Sequence, residues 1–375
     1  MTELLCGDIL VLGHMPPPIT GVSVINRFIV DELEGRGRLA KCVNLTPACR
    51  RGGAIYGIAR LWLALCAILE IRNARRNGIS VVYLPLDGGV GIIFNCLLAI
   101  AAKFSGFRVF VHHHSFSYIN NGSWLMALLL LCLPMRTTHV FLCEGMAQRF
   151  VEGYPWFWSR SKAKTFILNN GFLLEFGAGR SRLRSPGDDF VLGHLSNLCA
   201  EKGTHLVLDL FERMLEKGSG VSVVLAGPIL EDDLWARIER LKKEHGDLIT
   251  WLGLVTGSEK TKFFEAIDLF VFPTLYKHEA QPLVLLEALG YGVPIVSMRR
   301  GCIAFDYDET VGVLADGAED FLPEATRIIE DILADSLKYD RLCKAALSKA
   351  LKQSALARTG LAKLFALMGE SKNAA

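Results

Sequence analysis

Glu279 and Glu287 stand eight residues apart in the run His278-Glu279-Ala280-Gln281-Pro282-Leu283-Val284-Leu285-Leu286-Glu287-Ala288-Leu289-Gly290. Pro282 suits the first turn of a helix, because it has no N–H to leave unpaired. Leu283, Leu286 and Leu289 recur at helical spacing, and Gly290 and Gly292 close the helix ahead of Pro294. The free N–H groups at Leu283, with Gln281 just before them, make a site for phosphate at the positive dipole end. A carboxylate beside that anion repels it unless it faces something neutral, such as sugar hydroxyls. Glu279 in the loop and Glu287 inside the helix are placed for such groups, although two glutamates on a capped helix are also compatible with plain solvation.

Three further segments carry residues that could do chemistry. Phe190-Val191-Leu192-Gly193-His194 reads as a strand, followed by Leu195-Ser196-Asn197-Leu198-Cys199-Ala200-Glu201-Lys202-Gly203 and a helix from Thr204 to Leu215. Lys202 there is a point charge suited to a phosphate. Arg108 to His112 reads as a strand running into His113 and His114. Neighbours in a strand alternate faces, so at most His112 and His114 share one, and two protein ligands rarely make a metal site. Near the N-terminus, the strand Ile9 to Gly13 runs through Pro16-Pro17-Pro18 and Thr20-Gly21 into a helix over Val24 to Leu33. A glycine there lets backbone approach a phosphate, and it is equally an ordinary turn.

The E-x7-E spacing with its trailing G-x-G-x-P resembles the C-terminal signature of retaining glycosyltransferases of family 4, which have the GT-B fold. The resemblance implies that Glu279 contacts the donor sugar and Glu287 the nucleotide ribose, with Gln281 and Leu283 beside the donor. It implies that Lys202 faces the leaving diphosphate, that Gly21 touches the same diphosphate, and that His114 bonds the donor sugar, His113 being second. Many members place an arginine six residues before the lysine; here Ser196 stands there with Asn197 beside it. Two more strand ends, at Gly227 and at Val255, line the nucleotide pocket in that family. The resemblance spans nearly the whole chain and is densest from Gly193 to Gly312. It implies no cofactor beyond the nucleotide-diphosphate sugar substrate, and no metal.

The elements that must position these residues alternate strand and helix, with continuous apolar strands, the mark of parallel α/β sheets. A chain of 375 residues exceeds one ordinary core. The expected architecture is two Rossmann-like doubly wound domains facing a central cleft. Residues 1–176 form the acceptor-binding domain, 177–189 a linker rich in Gly, Arg, Ser and Pro, and 190–340 the nucleotide-sugar domain. Residues 341–375 form helices that cross back to the first domain. Asp306-Tyr307-Asp308 is a D-x-D sequence of the kind that holds metal in another transferase fold; in family 4 this stretch is a surface turn, so it is not read as a metal site.

Charge divides the chain. Up to Gly187 there are 20 Lys/Arg and 10 Asp/Glu, and beyond it 21 and 29, giving +10 and −8. The basic half holds the apolar stretches Ile58 to Ile71, Ile92 to Ala102 and Leu125 to Pro134, with Arg50, Arg51, Arg60, Arg72, Arg75 and Arg76 around the first. None reaches the roughly 18 uncharged residues of a membrane span, so no transmembrane helix is expected. Basic flanks on apolar helices suit adsorption to an anionic membrane surface, though buried sheet helices are as apolar. The first residues, with Glu3 and Asp8, lack the basic start of a signal peptide. Ten cysteines, among them Cys6, Cys66, Cys96, Cys132 and Cys302, show no C-x-x-C pair, and read as small buried groups in a reducing cytoplasm.

The expectation is a metal-independent retaining hexosyltransferase, cytoplasmic and peripheral on the inner face of the cell membrane. Its acceptor would be polyprenyl-diphosphate-linked or a saccharide, in cell-surface polysaccharide synthesis, with no nucleic-acid partner. Two rivals stand beside it. One is a nucleotide-sugar 2-epimerase of the same fold, and the other a degenerate, non-catalytic assembly subunit.

Overall fold

A computed structural model describes residues 8–48, 53–177 and 189–369. Most of the expected linker, and the arginines at 50 and 51, lie outside the described residues. The chain divides into two compact units, one from the N-terminus to Leu173 joined by the chain from Ala357, the other Leu174–Leu356. Residues 341–356 therefore belong to the second unit, and only the chain from Ala357 returns to the first.

In the first unit, β1 (Ile9–Gly13), β2 (Leu39–Asn44), β3 (Val81–Pro85), β4 (Arg108–His112), β5 (Thr138–Phe141) and β6 (Lys164–Ile167) form one parallel sheet in the order β2-β1-β3-β4-β5-β6. β1 and β3 are buried at every residue, as strands covered on both faces must be. The helices between them are α1 (Gly21–Gly35), α2 (Ala54–Arg76), α3 (Ile92–Phe104), α4 (Trp124–Cys132), α5 (Glu144–Gly153) and α6 (Pro155–Trp158). Thr20 starts α1 through a capping box with Ser23, so the helix begins three residues before the expected Val24.

The second sheet has the same logic. β7 (Phe190–Leu195), β8 (Val221–Ala226), β9 (Ile249–Trp251), β10 (Leu269–Phe272), β11 (Ile295–Met298) and β12 (Gly312–Ala315) stand in the order β12-β11-β10-β7-β8-β9, all parallel. Its helices are α7 (Thr204–Glu216), α8 (Asp232–His245), α9 (Gly257–Ala266), α10 (Leu283–Gly290), α11 (Ile303–Asp306) and α12 (Ala318–Ala334), and α13 (Ser336–Gly369) is the last described element. Apolar cores lie on both faces of this sheet, one around Phe211, Val223 and Ile329, the other around Phe264, Phe270 and Leu289. Arg108 holds the end of α13 to the first unit by donating to the carbonyls of Leu367 and Met368 at 2.7 and 3.3 Å.

In each sheet the chain order reverses once. The reversal falls between β1 and β3 in the first unit and between β7 and β10 in the second. In open parallel sheets the crevice beyond the strand ends at such a reversal is where ligands bind.

α2 runs 23 residues, and its best 18-residue window has a mean hydropathy of 1.8 with only 22% buried, so by length and composition it could cross a membrane. Arg60 and Glu70 fall within it, so it holds no uncharged run of membrane length; Arg60 turns inward and leaves the outer face apolar. Within the fold α2 is the crossover from β2 to β3 and packs on the sheet and on α3.

Candidate active site

The reversal point of the second unit is closed by a contact between Lys202 and Glu279. Gly203 makes it possible. Its φ is +73°, and a Cβ at this position would lie 2.0 Å from the Pro273 carbonyl oxygen, so the loop after β7 presses directly on the end of β10. The Leu275 N–H donates to the Glu201 carbonyl at 2.9 Å and ties the two loops together. Lys202 Nζ then donates to Glu279 Oε2 at 2.6 Å, over the rings of Tyr276 and Phe272. Thr274, fully buried, donates its hydroxyl to the same oxygen at 3.1 Å. Sequence reasoning missed Thr274, whose only signal is its place just past the β10 proline.

Glu279, Ala280 and Gln281 are held from behind by the segment after β11. Cys302 N–H donates to the Ala280 carbonyl at 2.8 Å. Gly301, at φ +50°, approaches so closely that a Cβ would lie 2.1 Å from the Glu279 carbonyl. Gln281 Nε2 donates to Asp306 Oδ2 at 2.6 Å. Gln281 is thus turned to Asp306, and burial pushes the Asp306 carboxyl up to about 6. The expected surface turn at Asp306-Tyr307-Asp308 is corrected here: Tyr307 is buried, Asp306 supports the site loop, and only Asp308 is exposed.

Pro282 caps α10 and Leu283 is its first residue. Glu287 lies half-buried inside it, and its Oε1 accepts from Lys260 of α9 at 2.6 Å, while Oε2 is buried without a partner. Burial raises the Glu287 carboxyl above its ordinary range, and Lys260 opposes that rise. Lys260 was invisible to the sequence reading because the pair spans 27 residues. Ser196 Oγ lies 2.9 Å from His194 Nε2 and 3.1 Å from the Asn197 carbonyl, and Asn197 is exposed. Gly227, at φ +117°, would bring a Cβ 1.8 Å from the Ser196 carbonyl, so these two strand ends touch. Val255 is not at a strand end, since β9 stops at Trp251; it is half-buried and packs against the core around Phe264, Phe270 and Leu289. The second unit thus brings Lys202, Glu279 and Gln281 into one loop cluster and Ser196 with Gly227 into a neighbouring strand-end contact. Glu287 pairs separately with Lys260.

In the first unit β4 ends at His112, and His114 follows it. The rings of His112 and His114 lie 4.0 Å apart, centroid to centroid, as strand alternation requires. His114 is 9% exposed, with neither ring nitrogen hydrogen-bonded, and burial lowers its pKa to about 3. It is therefore a neutral hydrogen-bonding ring and not a cation at neutral pH. His113 is taken up by Tyr118 at 3.2 Å and His139 at 3.0 Å. Gly21 is the exposed first residue of α1, with open space where a Cβ would be, so no tight approach there demands glycine.

Among the described residues, His205, Glu231 and Asp233 bring possible metal-ligand atoms within 4.8 Å of one another. The group is half-exposed, and the Glu231 carboxylate already accepts from Ala200 N–H at 2.9 Å. The described cysteines form no disulfide, and burial pushes the Cys42 thiol up to about 11 and that of Cys96 up to about 12, which leaves these two poor nucleophiles.

Comparison with known proteins agrees with this geometry. Residues 189–331 match the family described as "Glycosyl transferases group 1". The chain is 28% identical over 262 residues to "Putative glycosyltransferase EpsF" of Bacillus subtilis (strain 168), covering 65% of each chain. It thus spans about two thirds of the length of that curated relative. The fold is shared with Anabaena Alr3699/HepE, solved in complex with UDP, at a TM-score of 0.68 and 16% identity over 96% of this chain and 100% of that one. It is shared also with sucrose-phosphate synthase from Thermosynechococcus elongatus, at 0.69 and 15% over 96% and 100%. Two parallel-sheet α/β units of this kind are the GT-B fold.

Proposed function

We propose that the protein is a glycosyltransferase that moves a hexose from a nucleotide-diphosphate sugar, with retention and without a metal. The observation that carries this reading is the Lys202–Glu279 pair at the strand reversal of the unit that holds the family match. A cation for the departing diphosphate and a carboxylate for sugar hydroxyls stand side by side there, with the start of α10 just beyond. In this reading Lys202, Ser196, Asn197 and the N–H groups from Leu283 hold the diphosphate. Glu279 holds the sugar, Gly227 and Val255 line the base, and Glu287, with Lys260, meets the ribose. His114 bonds the donor sugar and Gly21 the diphosphate. Crystal structures of Alr3699/HepE hold UDP, UDP with glucose, and UDP-glucose, which supports a donor of that class.

The acceptor side of the proposal is a lipid-linked or saccharide acceptor at an anionic membrane surface, in cell-surface polysaccharide synthesis. Its support is the helix layer of the first unit. Right-handed crossovers place α2, α3 and α4 on one face of the sheet, where α2 packs on α3 and α3 on α4. On α2 the small residues Ala64, Ala67 and Ala74 face the sheet, while Ile58, Trp62, Leu65 and Leu69 are exposed. Phe104, Trp124 and Leu131 extend the exposed apolar face. Apolar area of this size is rare on a free soluble surface, and Arg72, Arg75, Arg76 and Lys103 border it with positive charge. The molecule would then work in the cytoplasm, on the inner face of the membrane.

Proton NMR of the sugar released from an α-linked nucleotide sugar tests the reaction. Early appearance of the α-anomer, unaffected by EDTA, is expected; early appearance of the β-anomer contradicts retention.

A further inference from the structure

The first unit also has a strand-reversal crevice, and its polar residues have no role in the chemistry described above. His14 follows β1 and Asp87 follows β3, on either side of the reversal. His14 Nε2 donates to Asp87 Oδ1 at 2.8 Å, and Arg60 Nη2 donates to Asp87 Oδ2 at 2.5 Å. Arg60 Nη1 closes on the His14 ring as well. His14 Nδ1 lies 3.3 Å from Thr46 Oγ1, which in turn lies 3.0 Å from the Met15 carbonyl it donates to. Asn26 Nδ2 donates to the His14 carbonyl at 3.0 Å, and Asn95 accepts from Asp87 N–H at 2.9 Å. Six elements, β1, α1, β2, α2, β3 and α3, thus each send a polar side chain, or a residue just past their end, to one crevice.

Two observations separate this cluster from a structural knot. Arg60 is 4% exposed on a helix whose other inward residues are apolar, and burying a guanidinium and a carboxylate together gains little stability over apolar packing. Asn26 and Asn95 are fully buried, yet Asn26 Oδ1 and Asn95 Nδ2 have no hydrogen-bond partner. His14 and Asp87 both reach solvent, their side chains 24% and 14% exposed. Arg60 is already matched by Asp87, so the cluster offers no spare cation to an anion. What it offers is a carboxylate with free lone pairs and an imidazole nitrogen, which suit hydroxyl groups.

We propose that His14 and Asp87, backed by Arg60, form a hydroxyl-binding site for a neutral saccharide, the sugar end of the acceptor. This assignment rests on the glycosyltransferase reading, and it makes the diphosphate of a lipid-linked acceptor a group bound elsewhere.

Saturation-transfer NMR with a panel of methyl glycosides and disaccharides, and with inorganic pyrophosphate, tests it on the full chain. A member of the panel should bind the wild type. Asp87→Asn and His14→Gln should each weaken that saccharide at least tenfold, and pyrophosphate should not compete with it. UDP titrated in parallel should bind both variants as it binds the wild type, which excludes misfolding. Competition by pyrophosphate, affinity within twofold of the wild type in both variants, or a wild type that binds no saccharide overturns the proposal. A wild type that binds the saccharide but no nucleotide sugar contradicts the transferase reading, while loss of that binding in Asp87→Asn still upholds the hydroxyl site.

Discussion

Lys202 and Glu279, 77 residues apart, form a 2.6 Å ion pair that joins the loops on the two sides of the second sheet's strand reversal. Both side chains are largely shielded, and Glu279 takes a second hydrogen bond from Thr274. The two residues should act as a unit. Lys202→Met and Glu279→Gln are each expected to lower kcat/KM for the donor at least tenfold. The double variant should fall short of the product of the two losses, a coupling of about 0.5–3 kcal/mol for residues in contact. Losses that simply multiply would mean the pair is incidental.

Glu287 and Lys260 should separate from that pair kinetically. A ribose contact is made alike in ground and transition states, so Glu287→Ala should raise donor KM more than it lowers kcat. Lys260→Met should do the same, since it removes the partner that holds Oε1. His114→Ala should instead cut turnover at least tenfold while free nucleoside diphosphate binds as before. Steady-state kinetics with nucleotide titration decides; unchanged donor affinity in Glu287→Ala would remove it from the ribose.

Much of this was written in the local sequence. The E-x7-E helix, the Lys-Gly turn and the strand end at Gly227 depend on residues within a few positions of each other, where helical spacing and turn chemistry are readable. The partners are what sequence hid. Lys260 and Asp306 reach the helix and the site loop across 27 and 25 residues, and the His14–Asp87 pair spans 73; Thr274 lies in the same loop as Glu279, but its type alone does not announce the bond. Asp306-Tyr307-Asp308 reads as a surface turn from the family 4 resemblance, yet the fold buries Tyr307 beneath α13 and turns Asp306 to Gln281.

Asp306 gives a pH signature. Its carboxyl is raised from 3.8 to about 6 in the folded protein by burial. Between those values the unfolded chain has released the proton and the folded one has not, so the stability contributed by this group is present below about pH 4 and is lost as pH rises through about 6. Asp306→Asn removes that loss while keeping an acceptor for Gln281. The melting temperature of the variant minus that of the wild type should therefore grow from pH 4 to pH 7. A difference that stays constant by calorimetry would show that the group titrates normally.

Gly203 and Gly218 share positive φ angles of +73° and +70°, but only Gly203 would carry a Cβ into backbone. Alanine at either site loses the left-handed freedom of glycine, a cost of about 1 kcal/mol. Gly203→Ala must in addition displace the Lys202 loop from Pro273. Urea unfolding should show it clearly less stable than Gly218→Ala, and donor turnover should fall only in the former. Equal stabilities would mean the loop contact is dispensable.

Membrane docking should depend on the apolar face of α2 as well as on charge. Trp62→Ser with Leu65→Ser and Trp124→Ser is expected to reduce liposome flotation at all salt concentrations. Arg72→Glu with Arg75→Glu and Arg76→Glu should reduce it chiefly at low salt, since the Debye length shrinks to about 3 Å at 1 M. Flotation that neither set changes would assign this face to a protein partner.

The most direct test of a donor site at the second unit's strand reversal is calorimetric titration of a panel of nucleoside-diphosphate sugars against the wild type and Lys202→Met. At least one donor should bind the wild type, and the same donor should bind Lys202→Met at least tenfold more weakly with its melting temperature near that of the wild type. A wild type that binds none of them, or a Lys202→Met variant that binds with undiminished affinity, would contradict the account.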